Sequence, residues 1–188
     1  MLVSEIYSKI VNHQIKGLMV HEQLAEYYDF LGLAGDKRCH EYHYFNECIS
    51  YRKTIRYFIN HHNKLVPNIE VSNPKIIPES WYKYSRHDVD VSTKRNAIKN
   101  GIEVWKSWEM ETKELYQEMF NELCEIGEVA SANFVNELIQ DVDCELNYVE
   151  RYCLNLKAID YDMSIIIPEQ DCTHEKYRKM MENFNVKY

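Results

Sequence analysis

The chain has 188 residues, of which 45% are hydrophobic and 28% charged, and its formal net charge is −8 at pH 7. A chain of this length buries a sizeable core without disulfides or a structural metal. The acidic balance and the lack of a Lys/Arg run exclude a protein that binds a phosphate backbone, so we expect no nucleic-acid partner.

The sequence also indicates where the protein works. It has no run of eighteen apolar residues, and its first fourteen residues contain no basic segment followed by an apolar one. We therefore expect no membrane partner and a cytoplasmic location. The six cysteines form no CxxC pair, which argues against a paired-cysteine zinc site, and we expect them to stay reduced.

The first part of the chain is typical of two long helices. Apolar residues recur at three- and four-residue spacing over about residues 4–31, and a second helical pattern covers about 37–60. Between them, we expect Gly35 to adopt a left-handed conformation and Asp36 to cap the second helix. So short a link predicts antiparallel neighbours. The second helix has two apolar faces, which indicates one neighbour in the bundle and one in another copy of the chain, hence a homo-oligomer.

A long connection separates these helices from the next two. Residues 61–91 contain three of the four prolines and no sustained helical period, so we predict a crossover along the length of a bundle. Further helices are predicted over about 92–126 and 128–156. The remainder, 157–188, is predicted to be an extended tail followed by a short helix near 173–184.

The pattern of links predicts the topology. A long connection in the middle lets the second and third helices run parallel, as in a four-helix bundle with one crossover. We therefore expect one all-α domain over residues 1–188, with the short C-terminal helix added to the bundle.

Two acids in the fourth helix lie where a core is expected. Asp141 and Glu145 are one turn apart in the middle of an apolar stripe that includes Leu138 and Val142. Burying an unpaired carboxylate costs several kcal/mol, so each acid should meet a metal, a cation or a shared proton. By contrast, the acidic series that begins at Glu109 on the third helix is interpreted as a solvated face.

With these features the chain resembles the ferritin-like superfamily over about residues 4–157. The stretch that carries Glu145, with Asp141 as a second acid, is similar to a ferritin segment that starts with an Asn-Phe pair: NFVNELIQDVDCELNYVERY. The run in the second helix is similar to a ferritin Glu-x-x-His motif, with Glu47 as the acid and Ser50 where the histidine stands: ECISYRKTIRYF. The resemblance implies a ferritin-like four-helix bundle with a long crossover.

The remaining ligand positions depart from the family pattern. In the first helix Glu22 best matches the ligand acid, and His21 lies equally close to the inner face. In the third helix Thr112 or Lys113 stands at the ligand position, and in the fourth Tyr148 replaces the expected histidine. Both histidines of the usual motif are therefore absent.

The resemblance implies a carboxylate-bridged metal site that binds ferrous iron, with oxidation or storage of the iron as a further activity and manganese as the alternative ion. Dioxygen or peroxide would be the oxidant. The implied ligands are four acids and a nitrogen from one of two histidines: Glu22, Glu47, Glu145, Asp141, and His43 or His21.

The alternative is a metal-free bundle that serves as a structural or assembly subunit. Lys113 distinguishes the two: an ammonium that reaches the acids would favour the metal-free bundle, and one that points to solvent would favour the metal site.

Two groups of histidines on the second helix are not assigned to a site. The trio of His40, His43 and Glu47 has a spacing that places ligands along one helix side, but we do not favour it as a separate metal site. His61 and His62 end the second helix, where an imidazolium favours the helix dipole, and we assign them no site.

Overall fold

The computed structural model describes residues 1–71 and 73–185. These residues form long helices and contain no strand. The helices are α1 (Val3–Phe30), α2 (Ala34–His62), α3 (Val91–Glu125), α4 (Val129–Ala158) and α5 (Met163–Met181). Short 3-10 segments cover Glu79–Lys83, Arg86–Asp88 and Glu182–Phe184. The first four helices begin and end within one turn of their predicted bounds.

The turn between α1 and α2 differs from the prediction. Gly32, and not Gly35, has the positive φ, at 76°. Gly35 lies inside the first turn of α2, where a Cβ atom would lie 2.6 Å from the carbonyl oxygen of Gln170. Asp36 does not cap α2 either, because it lies inside the helix and is buried. Gly35 is therefore needed for the close approach of α5, and Gly32 makes the turn.

The connection between α2 and α3 follows α1 along its length. Hydrogen bonds tie it to three points along α1 in the pairs Ser8–Pro67, Gln23–Ile76 and Asp29–Arg86. The chain thus returns to the end of the bundle where α2 began. Helix α3 runs antiparallel to α1, since Lys9 pairs with Glu118 at 3.4 Å and Lys16, further along α1, pairs with the earlier Glu111 at 2.6 Å. The predicted crossover topology is confirmed.

The C-terminal segment is more helical than predicted. The stretch expected to be extended belongs to α5, whose N-cap Asp162 accepts a 2.8 Å hydrogen bond from Ser164 N. Pro168 lies inside this helix. Proline disfavours a helix interior, which is why the sequence suggested an extended tail, and here packing against α2 prevails. Residues 186–188, the end of the predicted tail, lie outside the described part of the chain.

Helix α5 and the 3-10 segment after it cover part of the second apolar face of α2. The ring of Tyr42 lies 5.6 Å from that of Tyr177, and Phe45 stacks on Phe184 at 5.5 Å. The second neighbour of α2 is therefore partly its own chain. Ile49 of the same face stays 52% exposed, and self-association remains a prediction.

A buried carboxylate fastens α5 to the bundle. Asp36 accepts a 2.6 Å hydrogen bond from Tyr152 Oη and one of 3.0 Å from Gln170 Nε2, and its own N–H donates to Gln170 Oε1. Burial raises the pKa of Asp36 to about 6, although both side-chain hydrogen bonds lower it. Helices α2, α4 and α5 thus meet at one acid.

Apolar side chains form two clusters, one towards each end of the bundle. The first includes Leu24, Tyr28, Ile102, Trp105 and Val149. The second includes Ile10, Phe58, Met119, Val135 and Leu138. The described residues contain no helix long and apolar enough to cross a membrane.

We predict that Tyr152→Phe lowers the free energy of unfolding by about 1–3 kcal/mol, because a hydrogen bond to a charged, buried acceptor is lost. Tyr82→Phe is the control, since Tyr82 is 74% exposed and should tolerate the change. Urea unfolding at pH 7.5 measures both. Equal stability of the two variants would show that the bond to Asp36 does not hold the helices together.

Candidate metal centre

The middle of the bundle, between the two apolar clusters, is polar. All four bundle helices supply an ionisable side chain there. We call this group the central cluster: His21 from α1, His40, His43 and Glu47 from α2, Glu109 from α3 and Glu145 from α4.

Two of its histidines are neutral. His21 and His40 are almost fully buried, and their Nδ1 atoms lie 3.1 Å apart. Burial, together with the neighbouring imidazole of His43, holds the pKa of each well below its ordinary value. Neutral imidazole is the form that ligates a metal.

The third histidine pairs with an acid. His43 Nδ1 lies 3.5 Å from Glu145 Oε1. Burial is the largest single influence and opposes a charge on His43, but Glu145 and Cys39 together outweigh it and raise the pKa of His43 well above its usual range. Without a metal, the imidazolium of His43 is the positive charge that the cluster contains.

The two remaining acids are held in an unfavourable environment. Glu109 is 1% exposed, and its Oε1 accepts a 2.9 Å hydrogen bond from Trp105 Nε1. Burial and repulsion from Glu145 raise the pKa of Glu109 well above its usual range, with His43 opposing the shift. Burial and Glu145 likewise raise the pKa of Glu47 to about 8. At neutral pH a pKa of about 8 leaves Glu47 mostly protonated, and the raised pKa of Glu109 favours its protonated form as well, unless a cation enters.

Imidazole nitrogens of the cluster lack hydrogen bonds. Among the described residues, His21 Nε2 and His43 Nε2 are buried without a hydrogen bond of normal geometry, and His43 Nδ1 has only the long 3.5 Å contact with Glu145. Such atoms are costly to bury, so they mark a place for a missing partner. Together with the carboxylates they form a mixed nitrogen and oxygen donor set that suits ferrous iron or manganese.

The distances in the cluster fit an ion held between pairs of ligands. His21 Nε2 lies 3.9 Å from Glu109 Oε1, and His43 Nδ1 lies 3.5 Å from Glu145 Oε1. Two ligand atoms that are each about 2.0–2.2 Å from one ion lie up to roughly 4 Å apart. No three of these ligand atoms in the described structure come within 4.8 Å of one another, so a closed shell requires side chains to rotate.

A cavity leads from the cluster towards the surface between α2 and α4. Its volume is about 430 Å³, and its lining includes Glu47, Glu145, Ser50 and Tyr116. Asp141, one of its exposed lining residues, stands towards the outside. The cavity gives solvent a path to two acids of the cluster.

The structure brings together four of the six predicted site residues, Glu47, Glu145, His43 and His21. The other two lie outside the cluster. Glu22 is an exposed residue. Partial burial of its carboxyl group, together with repulsion from Glu26 and Glu41, raises its pKa.

Asp141 is exposed as well, so the prediction that both acids of α4 point into the core is wrong for this residue. Its neighbour Glu145, one turn later, lies within ion-pair distance of His43.

Sequence reasoning missed the acid of α3. It placed Thr112 or Lys113 at the ligand position, but Thr112 Oγ1 lies 2.8 Å from His13 Nε2 and Lys113 Nζ lies 2.6 Å from Asp143 Oδ1. Glu109 is buried and does not belong to a solvated face. The signal was present, because Glu109 follows Trp105 by one turn on the apolar stripe of α3.

Lys113 stays near the surface, with 32% of its side chain exposed. Its ammonium pairs with Asp143 and does not neutralise the central acids. By the criterion set from the sequence, this favours the metal-binding hypothesis.

Comparison with known proteins extends these observations. No family model and no curated protein matches the sequence. Solved structures do match. A closed form of the ferritin of Archaeoglobus fulgidus, engineered by site-directed mutagenesis, is 16% identical with a TM-score of 0.75. A humanized archaeal ferritin is 14% identical, and an open-pore ferritin from the hyperthermophilic archaeon Archaeoglobus fulgidus is 15% identical, each with a TM-score of 0.75. Each match covers 92% of this chain and 94% of the other. The chain therefore has the ferritin-like fold.

Proposed function

We propose that the protein binds ferrous iron at the central cluster. The observation that carries this proposal is the meeting of acids and imidazole nitrogens from all four helices in one space, which is buried at His21, His43 and Glu109 and partly open at Glu47 and Glu145. Glu109 and Glu145 are the principal carboxylate ligands, and His43 and His21 supply nitrogen. Glu47 completes the set from the side of the cavity.

Electrostatics supports a cation at this place. Three carboxylates share a small volume, and His43 is the one charged group that lowers the pKa of both Glu47 and Glu109. A divalent ion relieves the repulsion between the acids, so that they ionise, and it displaces the proton of His43. Iron is favoured over magnesium or calcium because the set includes imidazole, and manganese is the second candidate ion.

We further propose that the bound iron is oxidised. Two ferrous ions pass one electron each to dioxygen, which takes up two protons and leaves as hydrogen peroxide. The two protons come from water, which reaches the cluster through the cavity lined by Glu47 and Glu145. Iron is the substrate here, and the cavity with Asp141 is its route inward.

The alternative function is that of a metal-free structural bundle. The ion pair between His43 and Glu145 favours it, because it already offsets one buried charge. This alternative leaves the buried Nε2 atoms of His21 and His43 without a hydrogen-bond partner.

The first test compares two acids of α3. Glu109→Gln keeps the shape but removes the charge, and we expect the affinity for Fe²⁺ to fall at least about tenfold, as for loss of a group that supports a metal. Glu111→Gln is the matched control, since Glu111 is 55% exposed and pairs with Lys16. Anaerobic titration with Fe²⁺ gives the affinities, and admission of air followed by ferric absorbance gives the oxidation rate. Equal affinity of the two variants would overturn the assignment of Glu109.

The second test uses pH. Ligands must lose protons to bind, so affinity should rise as pH increases through about 8, the pKa of Glu47, and binding at pH 7 should release protons. Calorimetry in two buffers of different ionisation enthalpy measures the released protons. Affinity that does not change between pH 6.5 and 8.5 would contradict binding at these acids.

A further inference from the structure

A second group of ligand-type side chains lies at one end of the bundle. One ring nitrogen of His61, one of His62 and a carboxylate oxygen of Glu128 all lie within 4.8 Å of one another. No other trio of histidine, cysteine and acid side chains in the described residues meets this distance. His61 is exposed, and the other two are partly buried.

Local structure brings these side chains together. His61 and His62 form the last turn of α2, which Asn63 closes in a left-handed conformation at φ 52°. Neighbouring positions of a helix diverge by about 100°, but here the two rings meet edge to face with centroids 4.8 Å apart. Glu128 is the N-cap of α4, directly after the tight turn at Gly127, where φ is 80°.

Both rings are fixed by their neighbours. His61 stacks on Tyr57 with centroids 5.3 Å apart, and His62 contacts Phe58 at 4.9 Å. His62 Nε2 lies 3.1 Å from Ser131 Oγ, a contact that orients the ring as second-shell hydrogen bonds orient metal ligands. The two imidazole rings are therefore held by packing before any ion binds.

The charges around the trio suit a cation. Burial lowers the pKa of His62, the charge of Lys64 acts in the same direction, and Glu128 partly opposes this shift. In the described part of the chain no lysine or arginine forms an ion pair with Glu128. The carboxyl end of α2 adds the negative end of a helix dipole.

We propose that His61, His62 and Glu128 form a second metal site, which takes a first-row divalent transition ion. Two imidazoles and one carboxylate fit Zn²⁺, Co²⁺ or Fe²⁺, and they do not fit Mg²⁺ or Ca²⁺, which take oxygen ligands. The bound ion joins the end of α2 to the turn between α3 and α4, elements that are far apart in the sequence. It therefore stabilises this end of the bundle.

The site is independent of the central cluster. His62 follows His43 by 19 residues on α2, so at about 1.5 Å per residue the two lie roughly 28 Å apart along the helix. The proposal thus stands whether or not the central cluster binds iron.

The test uses the full chain with the central cluster disabled. In the Glu109→Gln/Glu145→Ala background, we expect the metal-stripped protein to bind one Co²⁺ per chain, with a visible absorption band, and its Tm to rise on binding. Adding His61→Ala should weaken this binding at least about tenfold and abolish the rise in Tm. Adding His87→Ala, the change of an exposed histidine outside both groups, should leave binding intact.

Two results would overturn the proposal. One is the absence of Co²⁺ binding in the background variant, and the other is equal binding after His61→Ala and His87→Ala. The Tm without metal shows whether each variant is folded. The comparison is also repeated with His61→Ala in the otherwise unchanged chain, which should lose one bound ion per chain. This repeat shows that the result does not depend on the two background substitutions. Mg²⁺ in place of Co²⁺ should give no rise in Tm.

Discussion

The arrangement of the bundle depends on the burial of acids between two apolar clusters. Glu109 is 1% exposed and has Glu145 and Glu47 as electrostatic neighbours. Taking a carboxylate out of water costs several kcal/mol, and a second carboxylate nearby adds to this cost. The protein meets the cost in three ways: a hydrogen bond from Trp105, the ion pair of Glu145 with His43, and protons retained on the acids. A metal ion would replace the last two by direct coordination.

The topology makes this cluster possible. The crossover attaches to α1 and returns the chain to the start of α2, so that α3 lies beside α1 with its buried face towards the centre. Antiparallel packing of α3 and α4 then sets Glu109 near Glu145. The apolar clusters on either side keep water from His21 and Glu109, which strengthens the electrostatic interactions of these two side chains, while the cavity leaves Glu47 and Glu145 open to solvent.

Much of the fold could be predicted because it follows from local patterns. Periodicity located four long helices, and the length of the middle connection gave their order. The C-terminal segment could not be predicted in this way, since Pro168 and an isoleucine run disfavour a helix that tertiary packing then enforces. The role of Gly35 was also hidden, because the backbone of α5 that approaches it lies about 135 residues later in the chain.

The site was predictable in part. Glu47 and Glu145 stood at ligand positions of the family pattern, and the structure brings both to the centre. Glu109 was missed because its spacing from Glu111 and Glu114 suggested a charged outer face. Whether an acid of this series is buried depends on which side of the helix it faces, and a shift of one turn changes which acid is assigned to the core. Asp141 was misplaced for the same reason, since it lies one turn from Glu145 yet is exposed.

The central claim is that a metal ion is the counter-charge of the buried acids. Crystals soaked anaerobically in Fe²⁺ and measured at the iron absorption edge test it most directly. The account predicts an anomalous peak between His43, Glu109 and Glu145, with these side chains turned to coordinate it. It would be contradicted by density that lacks a peak there and keeps the His43–Glu145 pair unchanged.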